Sequence, residues 1–390
     1  MVGIQFIMTM SFSFLSPIMP LFLPDLGVTT DTGIALWSGI LNGSTSFVAA
    51  FASPLWGRLA DNYGRKPMLI RSSCAIAVFT AFMGLSQNVW QFFAARALMG
   101  VFAGFSSTAM ALVASQAPEQ RLGYALGWLS TGQLVGSLVG PVIGGVLADL
   151  TGSYRVPFYC TSAMTFLTVF LVWRGVRESV ARPGGHRRRS GLRGLAMLIG
   201  AAGVLPLFFV LFMAQFGTRA VQPLVTVFVQ ELVGPRPDLA TLGGVAFSVT
   251  GLAGMIAVPL LGKHSDQIGY RRVLLICLAG ATLTSLPQAF ATSYWLFALE
   301  RFGVGLFIGA IVPTANALIG RMVSRSDRGT VYGLTSSATF LGNSLGPLTG
   351  GAIAASFGLR WVFLITSALL LANLIWVYLT VPEYVDRADR

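Results

Sequence analysis

Charge is scarce in this chain. Only 10% of its 390 residues are Asp, Glu, Lys or Arg, against about a quarter in an ordinary soluble domain. The two histidines, His186 and His264, stand in charged loops with no Cys or carboxylate cluster beside them, so no metal site is expected. The three cysteines, Cys74, Cys160 and Cys277, are far apart inside apolar runs. That placement fits small core-filling residues rather than a disulfide framework or a zinc site. No zinc motif, Ser/His pair or close carboxylate pair occurs within the apolar runs, and no sizeable soluble domain is present. An enzyme or a receptor is therefore disfavoured, and no cofactor is implied. Gly303-x-Gly305-x3-Gly309 resembles a nucleotide loop only superficially, because its third glycine is misplaced and it sits in a long apolar run.

Apolar residues, in contrast, make up 54% of the chain, and they come in runs. A helix needs about 20 apolar residues to cross a bilayer. Twelve runs qualify, at 2–23, 34–56, 67–86, 90–112, 123–148, 156–175, 203–230, 241–261, 271–290, 294–319, 329–355 and 359–380. We number them spans 1 to 12. Residues 1–23 have neither a basic lead-in nor a small-residue cleavage site, so they read as a retained span rather than a secretory signal. The expected fold is an all-α membrane protein of twelve transmembrane helices.

The net charge of +12 does not imply a nucleic acid. Sorted onto alternate loops, 20 of the 26 Lys and Arg fall on one side, while only Arg155, Arg236 and Arg360 fall on the other. That bias marks the basic side as cytoplasmic, with both termini there. The longest polar stretch, Arg174–Arg193, contains Arg-Pro-Gly-Gly-His-Arg-Arg-Arg, and the basic linker 176–202 divides the spans into bundles 1–175 and 203–390. It reads as a flexible orientation-setting connector that can touch anionic lipid headgroups.

The two bundles are copies. Gly57-Arg58-Leu59-Ala60-Asp61-Asn62-Tyr63-Gly64-Arg65-Lys66, a charged turn between spans 2 and 3, returns as Gly262–Arg272 between spans 8 and 9. Asp61 and Asp266 are 205 positions apart, and the offset holds at 205 or 206 for further landmarks. Pro17–Leu26 matches Pro223–Leu232. Arg96, Gly100 and Gly104 match Arg301, Gly305 and Gly309. Gly127, Gly136, Gly140-Pro141 and Gly144-Gly145 match Gly333, Gly342, Gly346-Pro347 and Gly350-Gly351. A repeat of half a membrane chain is the signature of a transporter. Gly57 and Gly64 are read as permitting close approach and positive φ in the charged turn, with Asp61 suited to a helix N-terminus. The glycine ladder gives span 5 a flat face for a neighbouring helix.

Polar groups inside spans are costly and mark pathways or pairs. Gln215 and Arg219 fall near the middle of span 7, Gln222 a turn beyond, and Arg96, Glu300 and Arg301 several residues inside spans 4 and 10. Glu300 is the clearest acidic residue inside an apolar run, and it is expected to pair with Arg219 or a nearby arginine. A static ion pair and a proton-titrating group remain equal alternatives for it. Asp25 and Glu231 close spans 1 and 7 and read as solvated ends.

These motifs together resemble the major facilitator superfamily, over nearly the whole chain. Gly57–Lys66 resembles its motif A, Pro17–Pro20 its helix 1 proline motif, and Arg96-x3-Gly100 its helix 4 arginine motif. Gly127–Gly145 resembles the antiporter motif of the drug:proton antiporters. Leu36–Gly39, Ala52–Gly57 and Gln87–Phe92 are similar to bacterial multidrug efflux members of that branch. The resemblance implies two pseudo-symmetric six-helix bundles, a rocker-switch exchange of drug and proton across the inner membrane, and a cavity lined by spans 1, 4, 7 and 10. It implies that Asp61 docks near Asp327–Gly329 at the start of span 11, that Asp266 faces span 5 near Glu119–Gly123, and that Arg96 assists proton coupling. Many drug antiporters carry a carboxylate within helix 1, yet residues 2–24 hold none, which moves the expectation to Glu300 and Asp61. The expected activity is monomeric, proton-coupled efflux of lipophilic small molecules, cationic ones among the candidates. A sugar or metabolite exporter is the alternative, on the strength of Gln215, Gln222 and Arg219.

Overall fold

The structure, a computed structural model, describes residues 1–118, 121–176, 178, 204–322 and 328–381. Nearly all of the 176–202 connector, together with Glu119 and Asp327, lies outside the described residues, as do the side chains of Asp61 and Asp266.

The described chain folds into helices α1 (Val2–Ser13), α2 (Leu15–Phe22), α3 (Asp31–Tyr63), α4 (Arg65–Leu85), α5 (Val89–Val101), α6 (Phe105–Gln116), α7 (Leu122–Thr151) and α8 (Val156–Gly175). The second half gives α9 (Val204–Val221), α10 (Val225–Val233), α11 (Leu239–Ile268), α12 (Tyr270–Ser285), α13 (Tyr294–Met322), α14 (Arg328–Phe357) and α15 (Leu359–Thr380). Eleven stretches among the described residues are long and apolar enough to cross a membrane. The twelfth position belongs to α14, a 30-residue helix rich in Ser, Thr and Gly.

Helix boundaries follow local chemistry. Thr30 caps α3 by accepting from the Gly33 amide, and Asn88 caps α5 by accepting from that of Gln91. Pro17 and Pro20 fall in span 1, which is divided into α1 and α2, and Pro223 in the turn between α9 and α10.

The charged turn is shorter than the sequence suggests. Helix α3 continues to Tyr63 and α11 to Ile268, so Gly57 is helical and the chain reverses at single glycines. These are Gly64 (φ 92°) and Gly269 (φ 93°), a backbone region that side chains with a Cβ rarely occupy. An apolar helix carries its hydrogen bonds through a charged stretch readily once that stretch reaches the headgroup region, where the side chains are solvated.

The chain divides into two compact units. One is residues 1–186 with 225–248, and the other is 187–224 with 249–390. In the first, α7 lies along α1 with glycines at the contact. A methyl placed on Gly132, Gly136, Gly140 or Gly144 would press on the backbone of Val2–Phe6, Phe6–Met10, Met10 or Phe14 respectively. In the second, Gly342, Gly346 and Gly350 of α14 meet Phe212–Phe216, Phe216–Ala220 and Ala220 of α9 in the same way. Gly127 of the expected ladder meets no atom within 4 Å. Close backbone approach removes the need for large side chains and lets dispersion hold helices together where no hydrophobic force acts between them.

Candidate functional site

The arginine of the fourth span holds α5 against α3. Arg96 is 5% exposed. Its Nε donates to the Leu41 carbonyl at 2.7 Å and its Nη2 to Asn42 Oδ1 at 3.3 Å, while Thr45 Oγ1 donates to the Arg96 carbonyl. One turn on, Gly100 rests against Thr45 and Val48. Charge inside the span is thus met by carbonyl and amide oxygens, not by a carboxylate.

The fourth span is broken. Gly104, at φ 122°, separates α5 from α6 and frees nearby carbonyls from the helical ladder. Trp56 Nε1 donates to the Val101 carbonyl at 2.6 Å. Arg71 Nη2 reaches the Phe102 and Ala103 carbonyls at 3.3 and 3.4 Å, and its guanidinium lies 3.4 Å over the Trp56 ring. The Phe102 ring in turn stacks on Phe79. Arg71 stands well inside α4 and serves the carbonyls freed at the break.

The basic pair of motif A is also structural within its own unit. Arg65 Nη1 donates to the Ala111 carbonyl and Lys66 Nζ to that of Trp173, both at 2.7 Å. The carboxylate of Glu178 receives the Arg65 and Lys66 backbone amides at 2.7 and 2.8 Å, so it caps α4. Glu178 escapes notice in the sequence, where its one signal is an acidic residue at the start of an otherwise basic connector.

In the second half, Arg219 Nε donates to Asn343 Oδ1 at 2.9 Å, and Nη1 donates to Gln222 Oε1. Gln215 stands one turn before Arg219 on α9, and its Cβ lies beside Gly342 of α14. The structure therefore gathers Arg219 and Gln222 with Asn343, which the sequence does not single out. The hint it offers there is an amide one position after a ladder glycine.

Among the described residues, Glu300 forms no ion pair, contrary to expectation. Arg219 is committed to amides, and Glu300 Oε2 is buried with no hydrogen-bond partner. The neighbouring Gly303 packs on Thr284 of α12, whose carbonyl accepts from Gln288 Nε2. Gln288 Oε1 is likewise buried without a partner. Arg301 is 9% exposed and its Nε has none either. Gly305, one turn on, meets Thr250 and Ala253 of α11. Successive residues of a helix point about 100° apart, so Glu300 and Arg301 serve different faces.

A buried amide in span 1 is equally silent in the sequence. Gln5, 1% exposed, donates to Ser106 Oγ at 3.0 Å and Thr9 Oγ1 at 3.3 Å, and its Oε1 has no partner. It ties α1 to α6 immediately beyond the break at Gly104.

The family model of the Major Facilitator Superfamily matches residues 1–234 and 207–390. The chain belongs to this superfamily. Among curated relatives, "Multidrug resistance protein MdtG" of Salmonella typhimurium is 37% identical over 366 residues, covering 94% of this chain and 90% of the relative. The protein of the same name from Dickeya zeae is 37% identical over 377 residues, covering 97% and 92%. Solved structures share the fold at low identity. The nucleoside transporter NupG, solved as a point mutant, superposes with a TM-score of 0.77 at 13% identity, covering 96% of this chain and 98% of that one. The D-xylose-proton symporter superposes with a TM-score of 0.76 at 16% identity, covering 98% and 97%. The protein is thus a multi-pass transporter of the major facilitator superfamily, similar to multidrug resistance proteins.

Proposed function

We propose that the protein exports lipophilic small molecules, lipophilic cations among them, in exchange for protons, working as a monomer in the inner membrane with both termini cytoplasmic. Alternating access between the bundles 1–175 and 203–390 moves the substrate, with Asp61 and Asp266 at the cytoplasmic gates. The observation that carries the efflux reading is the 37% identity to MdtG over 94% of the chain. Apolar and Met-containing walls suit adaptable recognition. Gln215, Arg219, Gln222 and Arg301 are assigned to the substrate cavity.

Proton coupling is assigned to Glu300, with Asp61 and Arg96 assisting. No hydrogen-bond donor fixes the charge state of the buried Glu300 oxygen, so that state responds to whatever opens or closes its surroundings. Arg96 acts indirectly, since its guanidinium is occupied in positioning α5 on α3.

The Arg219–Asn343–Gln222 group supports a second reading, export of a sugar or metabolite, because a guanidinium flanked by amides can hydrogen-bond hydroxyls. The test is purified protein in liposomes with an imposed pH gradient and a panel of dyes and sugars. Dye movement that follows the gradient is expected. Sugar flux indifferent to the gradient would favour the second reading, and no flux at all would remove both.

A further inference from the structure

The antiporter ladder on α7 has a second face. While Gly140 and Gly144 turn to span 1, the residues beside them meet the first three turns of α11, within one compact unit. A Cβ on Gly145 would collide with Ala240 and Thr241, and one on Gly244 with Pro141 and Val142. Ser248 Oγ donates to the Leu138 carbonyl. At the end of this seam stands Asp149. Its Oδ1 accepts from the Ala240 amide at 3.3 Å, and its Oδ2 accepts from the Thr241 amide at 2.7 Å and the Thr241 hydroxyl at 2.5 Å.

The spacing makes this a deliberate contact. Leu138, Pro141, Gly145 and Asp149 recur at three- and four-residue intervals, as do Thr241, Gly244 and Ser248, so each set lies on one helical face. The seam runs roughly 16 Å, at about 1.5 Å of helix per residue. Asp149 is its only carboxylate, and it meets the positive end of a 30-residue helix with three donors at once. Residues 239–248 of α11 thus belong to the same compact unit as α7, while 249–268 cluster with the other unit.

Other charges nearby are engaged elsewhere or placed differently. Arg155 donates to the Gly84 and Ser86 carbonyls and lies over Phe22. Arg236 pairs with Asp238 at 3.0 Å just before α11 begins. Tyr154 faces the same region: burial, then the charges of Asp149 and Asp25, push its phenol above the usual value. No cation competes with the α11 amides for Asp149 among these groups.

We propose that Asp149 is the latch of the non-basic, outward side: its carboxylate, seated on the start of α11, holds that side closed until the seam separates. This rests on the transport reading above and adds to it a gating residue at the face opposite motif A. Asp61 of motif A is expected to latch a helix start at the cytoplasmic face. Asp149 does the corresponding work outside, from the end of the antiporter ladder rather than from a charged turn.

The test uses the full chain with its three cysteines replaced by Ser, in nanodiscs. One reporter is Ser248→Cys in the seam, and the other is Tyr124→Cys, an exposed position on the basic-side half of α7. A bulky maleimide reports access to each. Asp149→Ala is expected to raise labelling of the seam reporter about tenfold, the worth of roughly one charge-assisted hydrogen bond, and to lower labelling at the Tyr124 reporter as the population shifts. Asp149→Asn, which keeps one acceptor oxygen, is expected to do the same more weakly. Unchanged labelling in both variants overturns the latch. A rise at both reporters also overturns it, since that is loosening rather than reciprocal opening. Absence of any flux by the wild-type chain in liposomes would count against the transport reading instead, independently of the labelling result.

Discussion

The two halves of this protein share a skeleton and differ in what fills it. Glycines with positive φ fall in matching places: Gly27 with Gly234, Gly64 with Gly269, Gly152 with Gly358. The ladders also correspond, α7 on α1 and α14 on α9. So do the arginine clamps, Arg155 on the Gly84 carbonyl and Arg360 on that of Ala289. Yet Gly104 breaks the fourth span, while its repeat partner Gly309 lies inside the unbroken helix α13. Arg71 and Trp56, which mend the break, correspond to Ile276 and Leu261. Glu300 corresponds to the buried Ala95, and Asn343 to Ser137. Symmetry is retained at Gly136, Gly140 and Gly144 with Gly342, Gly346 and Gly350, where a Cβ would meet backbone, and at the arginine clamps. It is lost at Arg71, Trp56, Glu300 and Asn343, whose counterparts are Ile276, Leu261, Ala95 and Ser137.

The largest effect is expected from the shared skeleton. Gly144→Val and Gly350→Val should each cost about 3 kcal/mol or more, since the added atoms meet backbone that cannot move aside. Thermal melting of the purified variants should show the two losses equal within error. A large inequality would break the claimed equivalence of the ladders.

The unshared features should behave unequally. Arg71→Leu leaves the Phe102 and Ala103 carbonyls without their donor and strips the stack from Trp56, for an expected loss of about 2 kcal/mol. Ile276→Ala at the matching, exposed position should cost under about 1 kcal/mol. Gly104→Ala should cost about 1 kcal/mol or slightly more through its positive φ. Gly309→Ala asks only for a few tenths of an ångström from Val258 and Gly254, and helix propensity offsets part of that. Equal losses for the glycine pair would mean that the break at Gly104 does not constrain the chain.

Much of this is legible from residue order alone. Twelve apolar runs, the repeat offset and the ladders depend on period and composition, which sequence carries directly. The interior partners are not legible, for physical reasons. Arg71 is one more arginine near the basic end of span 3 until its partners at the break between α5 and α6 are seen. Gly57 looks like a turn residue until α3 is seen to run past it. Gln5, Asn343 and Glu178 are single polar residues whose meaning lies in a contact more than a hundred positions away. Glu300 stands out as exceptional, but its expected arginine is held by amides, Gln222 a turn along and Asn343 on α14, a competition that sequence does not display.

Gradient-driven dye efflux, measured side by side in liposomes holding the wild-type chain or Glu300→Gln, tests the coupling claim most directly. Efflux that rises with the imposed pH gradient is expected for the wild type, with loss of that dependence in Glu300→Gln and dye binding retained. Normal gradient-driven efflux by Glu300→Gln would contradict the claim and leave Glu300 without a part in coupling.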